Sequence, residues 1–444
     1  MKNIILFLFI YYGFILFSGL NLFWSFYPYD GFRVLQIVLI IISSIYLLFQ
    51  NNIILKSKIY FILFTLMGLL IYSSLQSIYP LRALQEVFHF LGLLILFLCL
   101  IKVLKNVDQR LIFALSLFPL LTLIFLPVTL FERVLGNPYT VWTQSFVNVR
   151  MLDDALLPCL FLIWYFSTKY LDNKKVRTLL FIASTLFFLN FILNGSRAIF
   201  LSIIVSFIFF YFISKRNFYT YSKIPAVSFL TALILHWVYK ALNSDNQNIS
   251  LVRYSSSGRI EIWSQTLEAW SNHSFWGIGG NHLLLYIKHG VLHPHNLPIL
   301  LLSEFGLIVF ILILYLFLLL INKILKDRKE IPVPLLVGIV GIAVNSMLSG
   351  SMVYPASQTL NIFYIAFALS FIHFSIQKTN MLTKLFMILV LGGTLFFQFN
   401  NITCMNCMSV GERQAPRFWN YGIGRNLIPY DEERIGQNVS SDDY

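Results

Sequence analysis

Residues 297–321 read LPILLLSEFGLIVFILILYLFLLLI, with Glu304 as the single charge. A helix in water keeps a polar face opposite its apolar stripe. Here there is none beyond Gly306, and Tyr315 carries the only polar side-chain atom from Leu307 to Ile321. A helix that crosses the hydrocarbon of a bilayer needs about 20 apolar residues, so this stretch reads as a span. Further runs of the same kind lie near 4–22, 34–50, 59–79, 87–104, 111–131, 155–170, 178–194, 198–213, 224–241, 332–354, 356–377 and 381–400. The first follows Met1-Lys2 without a small-residue cleavage site and reads as a retained anchor.

Composition agrees. The 444 residues are 58% hydrophobic and 11% charged, Phe alone fills 44 positions, and the mean hydropathy is +0.76. Soluble domains carry about 25% charged residues, and so few cannot cover a water-facing surface. The expected fold class is an all-α polytopic membrane protein with about 12–13 transmembrane helices. It divides into about nine N-terminal spans (1–241), a long outer loop (242–296), about four C-terminal spans (297–400) and a polar outer tail (401–444).

The net charge of +13 would by itself hint at nucleic acid, but its distribution argues otherwise. With the N-terminus in the cytoplasm, alternate connections collect 19 basic residues on the inner side, from Lys2 to Lys384, as positive charge marks the cytoplasmic side. The excess is topological, and no nucleic-acid partner is expected. On the inner side Lys outnumbers Arg 15 to 4, whereas on the outer side Arg outnumbers Lys 11 to 2. A guanidinium keeps its charge and binds phosphate oxygens in a fork. Pairing with outer carboxylates or lipid headgroups is the alternative for any one arginine. As a set, the arginines point to an anionic ligand outside.

Two connections are long, 132–154 and 242–296, and long loops often bind or cover a ligand. The second contains His273, His282, His289, His293 and His295. It opens Ser255-Ser256-Ser257-Gly258-Arg259 and continues with a helical pattern in which Ile260, Trp263, Leu267 and Trp270 share one face. The serines are expected to cap this helix, which would lie at the membrane interface with Trp at headgroup depth. Arg259 and the first-turn N–H groups would then form an anion site. The His293-Pro294-His295-Asn296 segment, at the mouth of a span, suits proton transfer better than metal binding. No HExxH pattern is present, and no metal is expected. A second polar element, Asn194-Gly195-Ser196-Arg197, joins two spans with almost no loop; charge at a membrane edge marks a ligand path or a paired partner. The small and polar run 345–355 is expected to serve close helix packing. Cys99 and Cys159 fall in spans as packing residues, and Cys404 and Cys407 form a local disulfide or two free thiols in the tail.

With these residues in view, the chain resembles the O-antigen ligase family of bacterial inner-membrane glycosyltransferases. The likeness rests on Gly195-Ser196-Arg197, Ser257-Gly258-Arg259 followed by Ile262-Trp263, Gly277-Ile278-Gly279, and His295-Asn296 followed after nine residues by Gly306. Val309 departs from the last position of that family's signature. Phe146-Val147-Asn148-Val149-Arg150, with Leu157-Pro158, is similar to the protein-glycosylating branch. The resemblance implies a GT-C-like membrane transferase without metal or cofactor. It would move a glycan from undecaprenyl diphosphate to lipid A–core or a protein Ser/Thr. It also implies the inner membrane, with the active site and C-terminal tail periplasmic. Arg197 and Arg259 would hold the diphosphate and His295 would act as general base on the acceptor hydroxyl. Arg150, Arg253, Asn296 and Glu304 would complete substrate binding, with Glu304 orienting His295 or capping polar groups at the span end. An O-antigen polymerase shares these features. A transporter of lipid-linked sugar is the reading from another class, and would need no base.

Overall fold

A computed structural model describes residues 1–19, 28–53, 57–125, 146, 149–242, 258–287, 293–374 and 377–402. These residues are helical almost throughout. The helices are α1 (Lys2–Ser18), α2 (Pro28–Leu48), α3 (Ser57–Leu75), α4 (Pro80–Leu104), α5 (Gln109–Leu117), α6 (Val149–Lys169), α7 (Lys174–Leu193), α8 (Arg197–Ile213), α9 (Lys215–Leu242), α10 (Arg259–Ser271), α11 (Leu297–Lys326), α12 (Val333–Ser346), α13 (Pro355–Leu369) and α14 (Met381–Ile402). Each apolar run meets a helix of this series, and α10 is the amphipathic helix of the second long loop. The one ladder among the described residues pairs β1 (Asn52–Ile53) antiparallel with β2 (Gln377–Lys378), Asn52 opposite Lys378.

Among the described residues, seven helices are long and apolar enough to cross a membrane by length and composition, including α4, α11 and α14. Helices α1, α5, α8 and α12 are apolar but shorter. Helix α6 is long but carries Arg150, Asp153, Asp154 and Lys169, and α13 is short and almost wholly buried. The chain is an all-α, multi-pass membrane protein.

The described residues gather into two compact units. The first takes its residues from Met1–Leu47, Ile95–Ser255 and Leu319–Ile376. Its centre is α6, buried from Met151 to Ser167 and packed by α5, α7, α12 and α13. Small residues let α12 approach: a Cβ at Gly338 would overlap the Tyr364 hydroxyl, and one at Gly341 the Phe161 ring. Cys99 and Cys159 are buried free thiols, as their place in the spans led one to expect. Much of the polar content of this core is gathered into shared networks, which offset the cost of burying it in an apolar surrounding. Arg33 donates to Gln36 Oε1 (2.9 Å), Gln358 Oε1 (3.1 Å), Tyr29 OH (3.1 Å) and the Val353 carbonyl (3.1 Å). Gln36 in turn donates to Thr359 Oγ1 at 2.8 Å.

The second unit takes its residues from Leu48–Leu94, Ser256–Leu318 and the chain from Gln377 onward. Here α3 packs on α14, Gly393 lies against the Phe88 ring, and Gln398 Nε2 donates to the Gln85 carbonyl at 3.2 Å.

Candidate functional site

Gly306 lies early in the most apolar stretch of the chain, and there α11 breaks. Its φ of 76° and ψ of 174° lie outside helical space. Such a break exposes backbone groups that lipid cannot satisfy, so protein must do so. The loop before α11 supplies the partners. Ile278 N–H donates to the Ser303 carbonyl (2.9 Å), Gly279 N–H to the Glu304 carbonyl (2.8 Å), and Leu307 N–H to the Ser274 carbonyl (2.9 Å). The approach is so close that a Cβ at Gly306 would overlap the Phe275 carbonyl, and one at Gly277 the Glu304 carbonyl. Gly277 adopts φ 72°. Gly277-Ile278-Gly279 and Gly306, separate motifs in the sequence, are thus two halves of one backbone joint.

Below the joint, Glu304 is fully buried and its Oε1 accepts from Asn281 N–H at 3.2 Å. The Asn281 side chain donates to Glu86 Oε2 at 3.0 Å. Asn281 has φ 62°, a region that Asn tolerates better than most residues. His282 donates through Nδ1 to the Gly280 carbonyl (2.7 Å) and accepts at Nε2 from Tyr79 N–H (3.0 Å). Those two roles define a neutral imidazole with its proton on Nδ1. Glu304 was expected to orient His295 or to cap polar groups. The bonds seen here tie it to Asn281, about two helical turns along α11 from the His295 end. No spacing rule connects Glu86 with Asn281, and neither was expected in the site.

His295 is half-buried and has φ 52°. For a non-glycine residue that conformation costs about 1–3 kcal/mol and persists only where the surroundings impose it. Three contacts do so. His295 N–H donates to His293 Nδ1 (3.2 Å), Trp263 Nε1 donates to the Pro294 carbonyl (2.7 Å), and Asn296 caps α11 by accepting Ile299 N–H at Oδ1 (3.0 Å). The two imidazole rings lie 4.3 Å apart. Asn296 therefore has a backbone task that its sequence position did not reveal. Replacing Trp263 by Phe keeps the ring and deletes the bond to Pro294. We expect a loss of about 1 kcal/mol, read as a lower thermal midpoint of the detergent-solubilised protein. The remaining described loop histidine, His273, lies against Tyr286, whose phenol is pushed up by burial.

The arginines expected on the outer side now separate. Arg33 and Arg82 are each 3% exposed, and Arg82 lies 4.7 Å from the Tyr79 ring. Arg150 and Arg197 are exposed and Arg259 is partly so, while Arg253 falls outside the described residues. Arg197 and Arg259 occupy similar local settings. Each is the first residue of a helix, α8 and α10; Arg259 directly follows left-handed Gly258 (φ 70°), and Arg197 follows left-handed Gly195 (φ 63°) with the N-cap Ser196 between. In neither helix does the N-cap residue make a side-chain capping bond. A helix start of this kind, with a guanidinium beside it, favours an anion.

Two expectations are corrected, and a third detail is added for the face of α10. The cap of α10 is Gly258 rather than a serine, because the left-handed turn there begins the helix; Ser255 to Ser257 fall outside the described residues. The packed face of α10 is Ile262, Thr266 and Ala269, while Ile260 is 69% and Leu267 39% exposed. Ile260 and Leu267 face outward, as the expected interfacial helix requires, whereas Trp263 and Trp270 are half-buried and donate to the Pro294 and Ser274 carbonyls. The long connection 132–154 is shorter than read, since α6 begins at Val149 and places Arg150 in its first turn. Asp153 and Asp154 made that stretch look like loop, yet both are buried. Asp153 accepts from Asn190 (2.6 Å), Asn194 (2.9 Å) and Ser196; Asp154 accepts from Asn345 (2.8 Å) and Ser349. The run from Asn345 thus holds a carboxylate as well as packing. The Cys404–Cys407 pair and the tail lie outside the described residues.

Comparison with known proteins agrees with this architecture. No curated protein and no solved structure matches the chain. Residues 179–314 match the family model described as O-Antigen ligase. The matched segment contains Arg197, Arg259, His295 and both halves of the Gly277–Gly306 joint. The match makes this segment similar to a membrane glycan-processing domain of the O-antigen ligase type.

Proposed function

We propose that the protein is a glycosyltransferase of the ligase type, which moves a glycan en bloc from undecaprenyl diphosphate to an acceptor hydroxyl on lipid A–core or protein. The observation that carries this reading is the shared setting of Arg197 and Arg259 at accessible helix starts without side-chain caps. Each guanidinium would engage phosphate oxygens of the donor, and Arg150 and Arg253 would extend the donor contacts. His295 would take the proton from the acceptor hydroxyl. The acceptor oxygen then bonds to the anomeric carbon as the bond from that carbon to the diphosphate oxygen breaks. The electron pair leaves on undecaprenyl diphosphate and the anomeric configuration inverts. Guanidinium groups stabilise that leaving charge without exchanging protons. The reaction so written uses no metal or cofactor. The Lys-rich connections support a cytoplasmic N-terminus, with the reaction on the periplasmic side of the inner membrane.

Deleting the gene and profiling glycans in the lipid and protein fractions tests this reading. A ligase deletion loses acceptor-linked glycan while lipid-linked chains keep their lengths, and wild-type protein restores it. Arg259→Ala should lower transfer by roughly 10²–10³-fold. Chains reduced to a single unit would instead assign a polymerase. Unaltered glycoconjugates would sink the transferase reading altogether.

A further inference from the structure

We propose that Asp153 is a positioning residue for donor binding: it locks the turn that presents Arg197. The proposal rests on Arg197 being a phosphate ligand, as above. Asp153 is 1% exposed in the second turn of α6. Its Oδ1 accepts from Asn190 Nδ2 and Asn194 Nδ2, and its Oδ2 from Ser196 Oγ. Two of these donors lie before Gly195 and one after it. A single carboxylate therefore grips both sides of the point where α7 stops and α8 begins.

The backbone of that turn is closed independently. Ser196 N–H donates to the Phe191 carbonyl and Gly195 N–H to the Ile192 carbonyl, both at 3.1 Å, with Gly195 left-handed. This is the double bond pattern that ends a helix at a left-handed glycine. The unusual feature is Ser196. A serine at the N-cap position ordinarily turns its hydroxyl onto the N–H of the second or third helical residue. Ser196 makes no such bond, and its hydroxyl goes to Asp153 instead. The diversion leaves the first turn of α8 without a side-chain cap beside the exposed Arg197, and it ties that turn to the buried core of α6. A bidentate guanidinium–phosphate contact depends on orientation, so a turn that is free to shift loses affinity.

Asp154 is an internal comparison. It is 2% exposed and also bound by an amide and a hydroxyl, but those come from Asn345 and Ser349, outside the turn that bears Arg197.

The test uses the full chain in nanodiscs with undecaprenyl diphosphate as probe, measuring Kd for wild type, Asp153→Asn, Arg197→Ala, the double variant and Asp154→Asn. Arg197→Ala should weaken binding about 10–100-fold, and Asp153→Asn about tenfold. Coulomb's law alone predicts the opposite sign for Asp153→Asn, since removing a negative charge favours an anion. The double variant should bind within about twofold of Arg197→Ala, because both changes disable one device. Asp154→Asn should bind like wild type. Wild-type or tighter binding by Asp153→Asn overturns the proposal, as does a double variant that falls by the product of the two singles or an Asp154→Asn defect equal to that of Asp153→Asn. Wild-type binding by Arg197→Ala overturns the reading of Arg197 itself, and the proposal with it. If Asp153→Asn does not fold, Asn194→Ala and Ser196→Ala carry the same cycle. Each should weaken binding a few-fold, about threefold or more, without adding to Arg197→Ala, and unchanged affinity in both counts against the proposal.

Discussion

Gly306→Ala is expected to yield little folded protein. At φ 76° and ψ 174° an L-residue occupies a region open essentially to glycine, at a cost of about 1–3 kcal/mol. The added Cβ would also overlap the Phe275 carbonyl. To relieve that overlap the loop must leave α11, which gives up the bonds from Ile278, Gly279 and Leu307, each worth about 1 kcal/mol. The sum is roughly 4–6 kcal/mol, which is a large part of the stability of an ordinary domain. Fluorescence-detected size exclusion and thermal melting in detergent measure it. Gly392 in α14 is the contrast, because nothing lies within 4 Å of a Cβ built there. Gly392→Ala should melt within about 0.5 kcal/mol of wild type. A Gly306→Ala protein that melts like wild type would show that the joint does not hold the loop to α11.

The second large effect concerns His295, where backbone and ring must be tested apart. Alanine at φ 52° would remove the imidazole and also strain the chain. Asparagine tolerates left-handed backbone, so His295→Asn deletes the proposed base with less disturbance. We expect transfer to fall by about 10²–10⁴-fold, the usual contribution of a positioned general base. The melting temperature and the affinity for undecaprenyl diphosphate should stay close to wild type. Transfer within tenfold of wild type would place the base elsewhere. A parallel loss of donor affinity would mean that His295 shapes the donor site rather than the proton transfer.

The outcome at individual positions shows what could be read in advance. The apolar runs became helices because hydrocarbon rewards one property, unbroken apolar length, which is local in sequence. Arg197 and Arg259 stood out because each lies within two residues of a glycine at the edge of an apolar or amphipathic segment, and the structure puts each at a helix start. The apolar face of α10 was legible, and its Ile260 and Leu267 point away from the protein as an interfacial helix requires; which residues pack inward was not, because burial in protein and burial in lipid leave the same apolar signature. Asp153 and Asp154 were read as loop because acids in an apolar run usually signal water. Their amide and hydroxyl partners come from later helices that no local pattern announces.

The sequence by itself determined that the chain is helical and membrane-embedded. Helix formation and membrane insertion depend on the composition of each segment, so they are written locally. Only the tertiary structure decided which arginines are accessible, that two glycine motifs form one joint, and that Asp153 reaches Ser196 across 43 positions and Glu86 meets Asn281 across 195. Those decisions depend on backbone approach and on matching each buried donor to an acceptor, and such matches are made between segments after they pack.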